Sequence, residues 1–163
     1  LGANIQIAVF DGANLAARSA MLLGSMLAGQ AFANSPVAAV HALAYPVGGT
    51  FHVPHGLSNA LVLPHVLRFN APEAAGLYAE IAADAFPDLE REPSVQAKCV
   101  GFIESLATLS SLLGMKMRLR DVGVNEHHLR QMAKDAMKQQ RLLVNNPRPM
   151  TENDALAIYR AAW

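Results

Sequence analysis

The sequence predicts an all-α protein, a helical bundle of about six or seven helices that forms one domain over residues 1–163. Three observations support this fold class. Nearly every long segment repeats its apolar residues with the period of an α-helix. Apolar residues make up 52% of the chain and charged residues only 16%, which allows one buried core and argues against disorder. No segment alternates long enough for a strand, because the pattern over 115–124 is short and interrupted by charges.

The first two predicted helices lie before residue 50. One runs from about 14 to 33, in a stretch rich in Ala, Leu and Met. The second begins near Asn34-Ser35-Pro36, where a capping residue precedes a proline suited to the first helical turn. It should end before Pro46, because the residue preceding a proline is disfavoured in the helical region. The segment Gly48-Gly49-Thr50 then predicts a loop.

The remaining helices follow the same signals. Pro54 is expected to open the third helix, and the polar stretch 87–93 is expected to be an exposed loop. Four further helices are predicted. The first runs over about 73–85 and ends before Pro87, and the second runs over about 94–113 and ends before Gly114. The third starts at Asn125, and the last runs from Thr151, which can form a capping box with Asp154, to Trp163.

Composition excludes several classes of protein. Thirteen basic residues balance 13 acidic ones, so the chain lacks the positive surface expected for binding nucleic acid or an anionic membrane. No apolar run reaches the roughly 18 residues needed to span a bilayer. The single Cys99 cannot form an internal disulfide, which fits a cytoplasmic protein. The chain begins at Leu1 with no signal peptide, so we expect a piece of a longer protein.

Two histidines are candidate metal ligands. His41 lies in the second predicted helix and His55, fourteen residues later, begins the third. A turn between the helices would let both imidazoles face one point, and neutral imidazole binds zinc and ferrous iron. The spacing matches no zinc-finger or metalloprotease signature, and histidines so spaced are more often packing or surface residues. Spacing alone therefore leaves a metal site and a structural role both open.

The surrounding residues form a longer motif. It comprises the segments 28–32 (AGQAF), 40–49 (VHALAYPVGG) and 53–64 (VPHGLSNALVLP), followed later in the chain by 119–124 (LRDVGV), 146–148 (NPR) and 158–163 (IYRAAW). This set closely resembles the signature and closing segments of the iron-containing alcohol dehydrogenase family. The resemblance extends over essentially the whole chain.

The resemblance implies a two-domain enzyme with its active site in the cleft between the domains. The helical C-terminal domain would correspond to this chain, and an N-terminal dinucleotide-binding domain, absent here, would bind most of the NAD or NADP. The family's metal, Fe²⁺ or Zn²⁺, is usually held by one Asp and three His. His41 and His55 match two of these ligands, whereas the first two belong to a segment that precedes the chain.

Three further residues are candidates for the substrate side of the site. Tyr45 matches a position where many members carry a histidine that can join a proton relay; it is either a catalytic hydrogen-bond donor or a residue packed beside the turn. Phe32 matches a position that lines the substrate pocket in some members, although its spacing alone suggests a core residue. His52 matches no ligand position, and we expect it near the cleft, facing solvent or substrate.

The resulting hypothesis is the metal-binding half of a nicotinamide-dependent alcohol or hydroxy-acid dehydrogenase, inactive by itself. It would act on a small alcohol, aldehyde or hydroxy acid. We also expect a homo-oligomer, because the face that meets the other domain should be unusually apolar. Two alternatives stay open: a metal-free enzyme similar to maleylacetate reductase, and a non-catalytic helical binding module.

Overall fold

Eight α-helices and no β-strand make up the chain, which confirms the all-α prediction and adds one helix to the expected number. The structure is a computed structural model that describes residues 1–163. The helices are α1 (Gly2–Phe10), α2 (Leu15–Asn34), α3 (Ala39–Phe51), α4 (His55–Ala85), α5 (Val95–Leu112), α6 (Leu129–Met137), α7 (Gln140–Leu143) and α8 (Glu152–Ala162). Short 3-10 turns precede α5 and α6.

Capping residues place several helix starts where the sequence predicts them. The Asn14 side chain accepts a hydrogen bond from the Ala17 amide at the start of α2. Ser94 caps α5 in the same way, and Thr151 forms a reciprocal capping box with Asp154 at the start of α8. These starts depend on contacts between residues three positions apart, so local sequence suffices to predict them.

The prediction for α3 was wrong at both ends. The helix starts at Ala39, not at Pro36, and it continues through Pro46 and the expected loop 48–50 to Phe51. The reversal instead occurs at residues 52–54, where His52 adopts a left-handed conformation with φ 55°. Proline at 46 cannot donate to the carbonyl four residues earlier, but it is buried in the core, and packing compensates for the missing bond.

Helix α4 merges two predicted helices into one of 31 residues. It passes through Pro64 and Pro72, so the separate helix expected at 73–85 is its final part. The expected loop at 87–93 contains a 3-10 turn that buries Leu89. The short helices α1 and α7 were not predicted.

The core lies between α3, α4, α6 and α8. The main cluster contains 21 buried residues, whereas a second cluster of five lies between α4, α5 and the turn at 87–91. The hairpin α1–α2 contributes only Ala17 to the buried residues. Helices α3 and α4, which carry the candidate ligands, both contribute to the main core and are held by it.

No helix has both the length and the apolar character required to cross a bilayer.

Candidate metal centre

The chain reversal between α3 and α4 brings His41 and His55 together. His41 lies in the first turn of α3 and His55 is the first residue of α4. Their ring centroids are 5.2 Å apart and the rings are tilted by 51°. Gly48 of α3 packs against the reversal and the start of α4: a Cβ atom there would lie 3.4 Å from the Val53 carbonyl oxygen and 3.5 Å from the Ser58 hydroxyl oxygen, at ordinary contact distance. The glycine expected to form a loop thus lies inside α3 and faces α4.

A third side chain, Asn59, lies between the imidazoles. Its Nδ2 atom is 3.1 Å from Nε2 of His55 and 3.5 Å from Nε2 of His41. Both Nε2 atoms therefore face one point. Asn59 was not among the residues predicted from the sequence, although it follows His55 by four residues and so lies on the same helix face.

The surroundings favour neutral imidazole at this site. His41 is half-buried, and this desolvation lowers its pKa below the ordinary value; the neighbouring His55 lowers it further. His41 is therefore neutral near pH 7, with a ring nitrogen lone pair available. Neutral imidazole is the form that binds metals.

The donor set fits two positions of a metal site and no more. The two imidazoles converge, but no group of three or more His, Cys, Asp or Glu side chains in the chain could hold a metal ion. Structural zinc sites use four protein ligands and catalytic sites about three. Any further His, Cys, Asp or Glu ligand must therefore come from outside these 163 residues.

Two open cavities adjoin the pair, one beside each histidine. The first, of about 550 Å³, is lined by Tyr45 and His55 together with Gly48, Gly49 and Gln139. Tyr45 follows His41 by one helical turn and its side chain is partly exposed. The second cavity, of about 420 Å³, lies beside His41. Its walls are mainly apolar, and among its lining residues are Leu63, Leu67, Leu77, Tyr78, Asn70 and Asn146.

The other two candidate residues lie outside these cavities. Phe32 is near the end of α2 and 59% exposed, so it is not the core residue that its spacing alone suggests. His52 is the C-cap residue that follows α3, and it is exposed. Neither residue lines the cavities beside His41 and His55. Their proposed contact with substrate remains a prediction.

The fold and the site together define a strandless helical domain that presents a convergent pair of histidines beside open cavities. All residues from 1 to 163 match the profile described as the Fe-containing alcohol dehydrogenase family, C-terminal. The chain therefore belongs to the iron-containing alcohol dehydrogenase family and corresponds to its C-terminal part.

Individual relatives agree with this assignment. The chain is 40% identical over 162 residues to long-chain-alcohol dehydrogenase 1 of Geobacillus thermodenitrificans, covering 98% of this chain and 40% of that protein. It is 37% identical to 1,3-propanediol dehydrogenase of Citrobacter freundii, covering 98% of this chain and 41% of the relative. The crystal structure of a 1,3-propanediol oxidoreductase superposes with a TM-score of 0.93 at 36% identity, over 99% of this chain and 42% of the other. The chain thus spans about two fifths of the length of these relatives.

Proposed function

We propose that this chain is the metal-binding half of an NAD(P)-dependent alcohol dehydrogenase and that His41 and His55 are two of its metal ligands. One observation carries the proposal: the Nε2 atoms of both histidines face the same point, within 3.5 Å of one Asn59 atom. Family membership over residues 1–163 supports it. Both imidazoles project from helices braced by the main core, and rigid elements hold ligand geometry well.

The division of chemical roles follows from the residues present. Bound Fe²⁺ or Zn²⁺ supplies Lewis acidity to the alcohol or carbonyl oxygen during hydride transfer. Imidazole suits both metals, so the donor set does not select one. Tyr45, in the same cavity as His55, is placed to donate a hydrogen bond toward substrate. NAD or NADP binds mainly to a dinucleotide-binding domain that is not contained in this chain.

The proposed substrates are small alcohols, the corresponding aldehydes, and hydroxy acids. The names of two relatives specify a long-chain alcohol and 1,3-propanediol. Phe32 and His52 are proposed to face the substrate once the second domain closes the cleft. A cytoplasmic location and a homo-oligomeric state belong to the same proposal; the free, buried Cys99 supports the former and the exposed apolar hairpin the latter.

The chain alone should have no dehydrogenase activity. It contributes two imidazoles to a site that needs at least one more ligand, so it should bind metal weakly. Assays of the 163-residue chain with NAD(P)⁺ and simple alcohols test this, and chelator-sensitive turnover would contradict it.

The decisive experiment places this chain in one polypeptide with a dinucleotide-binding domain and compares wild type with His41→Ala and His55→Ala. We expect about one metal ion per active site in wild type, and loss of metal and at least about a hundredfold loss of activity in each variant. His65→Ala is the matched control, since His65 is a half-buried histidine on α4 outside the pair. It should keep both metal and activity.

The same experiment separates the alternatives. Full activity without metal would favour an enzyme similar to the metal-free maleylacetate reductases. Absence of both metal and activity would favour a non-catalytic helical module.

A further inference from the structure

The Asn59 side chain has one polar atom between the imidazoles and one with no partner. Its Nδ2 faces both histidines, but its Oδ1 is buried and accepts no hydrogen bond. The buried Asn70, on the same helix, pairs both of its amide atoms with the side chain of Asn146. A buried carbonyl oxygen without a donor is uncommon and calls for a physical explanation.

The orientation of the Asn59 amide follows from comparing its two possible rotamers. When Nδ2 faces the rings, its two hydrogens can be donated to the two ring nitrogens, and only the acceptor Oδ1 is left unpaired. The reverse orientation would bury two N–H donors in the place where Oδ1 has no partner. Buried donors without acceptors are rarer in proteins than buried carbonyls without donors. The orientation with Nδ2 toward the rings therefore has the lower free-energy cost. In this orientation both Nε2 atoms act as acceptors.

A ring nitrogen that accepts a hydrogen bond fixes the tautomer of its imidazole. When Nε2 of a neutral histidine accepts, the ring proton is on Nδ1. The contact to His55, at 3.1 Å, is the stronger one, and the contact to His41, at 3.5 Å, is longer and weaker. Both contacts favour the tautomer in which the Nε2 lone pair points to the common centre.

We propose that Asn59 is a positioning residue that keeps His41 and His55, in the metal-free protein, in the Nδ1–H tautomer with their Nε2 lone pairs converged. This proposal rests on the proposed function, because the point where the two Nε2 atoms converge is the proposed position of the metal. Because Oδ1 makes no hydrogen bond, a movement of the amide when the histidines bind metal would break only its hydrogen bonds to the two rings.

The position of Asn59 on α4 supports this role, because the start of the helix is held in place. The first turn of the helix is anchored by Ser58, whose hydroxyl donates to the carbonyls of Val53 or Pro54, both at 3.2 Å. Leu61 and Val62, just beyond, are buried in the main core. Asn59 therefore projects from a rigid turn toward His55, which lies one turn earlier on the same face.

The test is ¹⁵N NMR of the imidazole nitrogens in the metal-free 163-residue chain. In wild type, both Nε2 atoms should give acceptor-type signals. Asn59→Ala should release the rings to a mixture of tautomers, with the larger change at His55. Asn59→Asp keeps the shape of the side chain but cannot donate, so both rings should present Nε2–H to the carboxylate.

The matched control is Asn70→Ala, which removes a buried asparagine from the same helix without touching the imidazoles. It should leave both tautomers as in wild type, whatever its effect on stability. Unchanged Nδ1–H tautomers in Asn59→Asp, or tautomer changes as large in Asn70→Ala as in Asn59→Ala, would overturn the proposal. No metal is present in this measurement, so its failure is distinct from a failure of the metal site itself.

Discussion

At the scale of single residues, Tyr159 anchors the helix that carries His41. Its side chain is fully buried, and its hydroxyl donates a 2.7 Å hydrogen bond to the carbonyl oxygen of Leu43 on α3. Burial raises the pKa of Tyr159 far above its ordinary value, so the hydroxyl stays protonated and remains a donor. The tyrosine of the closing motif thus stabilises α3 two residues beyond His41.

Replacing Tyr159 by Phe should destabilise the fold by about 1–2 kcal/mol, because the substitution removes a buried hydrogen bond while keeping the ring. Urea denaturation followed by circular dichroism measures the change. Tyr45→Phe is the matched control: Tyr45 is 37% exposed and no hydrogen bond involves its hydroxyl, so the cost should stay within about 0.5 kcal/mol. Equal losses in the two variants would contradict this role for Tyr159.

At the scale of helices and loops, the segment 146–148 ties the end of the chain to α4. Asn146 exchanges two hydrogen bonds with Asn70, of 3.0 and 2.7 Å. Arg148 donates to the carbonyl of Phe69 at 2.8 Å, and its guanidinium lies 4.2 Å from the centre of the Phe69 ring. The Asn-Pro-Arg motif therefore has a structural role: it fixes the loop before α8 against the middle of α4.

The variants Asn70→Ala and Asn146→Ala should each destabilise the chain by about 1–3 kcal/mol, since each leaves a partly buried amide without its partner. The double variant should cost less than the sum, with a coupling of at least about 0.5 kcal/mol. A double-mutant cycle from urea denaturation measures it. Asn145→Ala is the control, because Asn145 contacts Val37 and Arg141 instead, so its coupling to Asn70→Ala should be near zero.

At the scale of the whole molecule, the hairpin α1–α2 presents a broad apolar surface. Ten of the 17 large exposed apolar side chains lie within residues 1–34: Leu1, Ile7, Val9, Phe10, Leu15, Leu22, Leu23, Met26, Leu27 and Phe32. Only Ala17 of this hairpin is buried. Exposed apolar side chains concentrated in one hairpin indicate an interface, either with another part of a polypeptide or with another copy.

In the chain alone, the partner available to this surface is a second copy, so we expect concentration-dependent self-association. Sedimentation velocity over a range of concentrations measures it. Leu15→Glu combined with Leu22→Glu should shift the chain toward monomer, because charges would then have to be buried at the contact. Val144→Glu is the control: Val144 is 80% exposed and follows α7, outside the hairpin, so the change should have no effect. A monomeric wild type would contradict the expectation.

Much of this molecule follows from local sequence. The helical period and apolar composition predicted the strandless fold. The helix starts predicted near residues 14, 94 and 151 are confirmed, and the caps formed there by Asn14, Ser94 and Thr151 require only contacts three residues apart. The motif around His41 and His55 predicted the family. Local signals failed where packing outweighed them, because proline and glycine penalise an isolated helix whereas α3 and α4 are held by a shared core.

Convergence of the two imidazoles could not be derived from their spacing, because it depends on where the chain reverses and how closely the helices approach. The reversal lies at residues 52–54, after α3 has run through Pro46 and the glycines that suggested a loop. Asn59 is a still clearer case. Its position in the sequence places it on the face of His55, but only the packing of α4 against α3 brings its amide within 3.5 Å of His41. Residue order thus determined the all-α fold class and the family, whereas packing between helices decided the bounds of α3 and α4 and brought the site residues together.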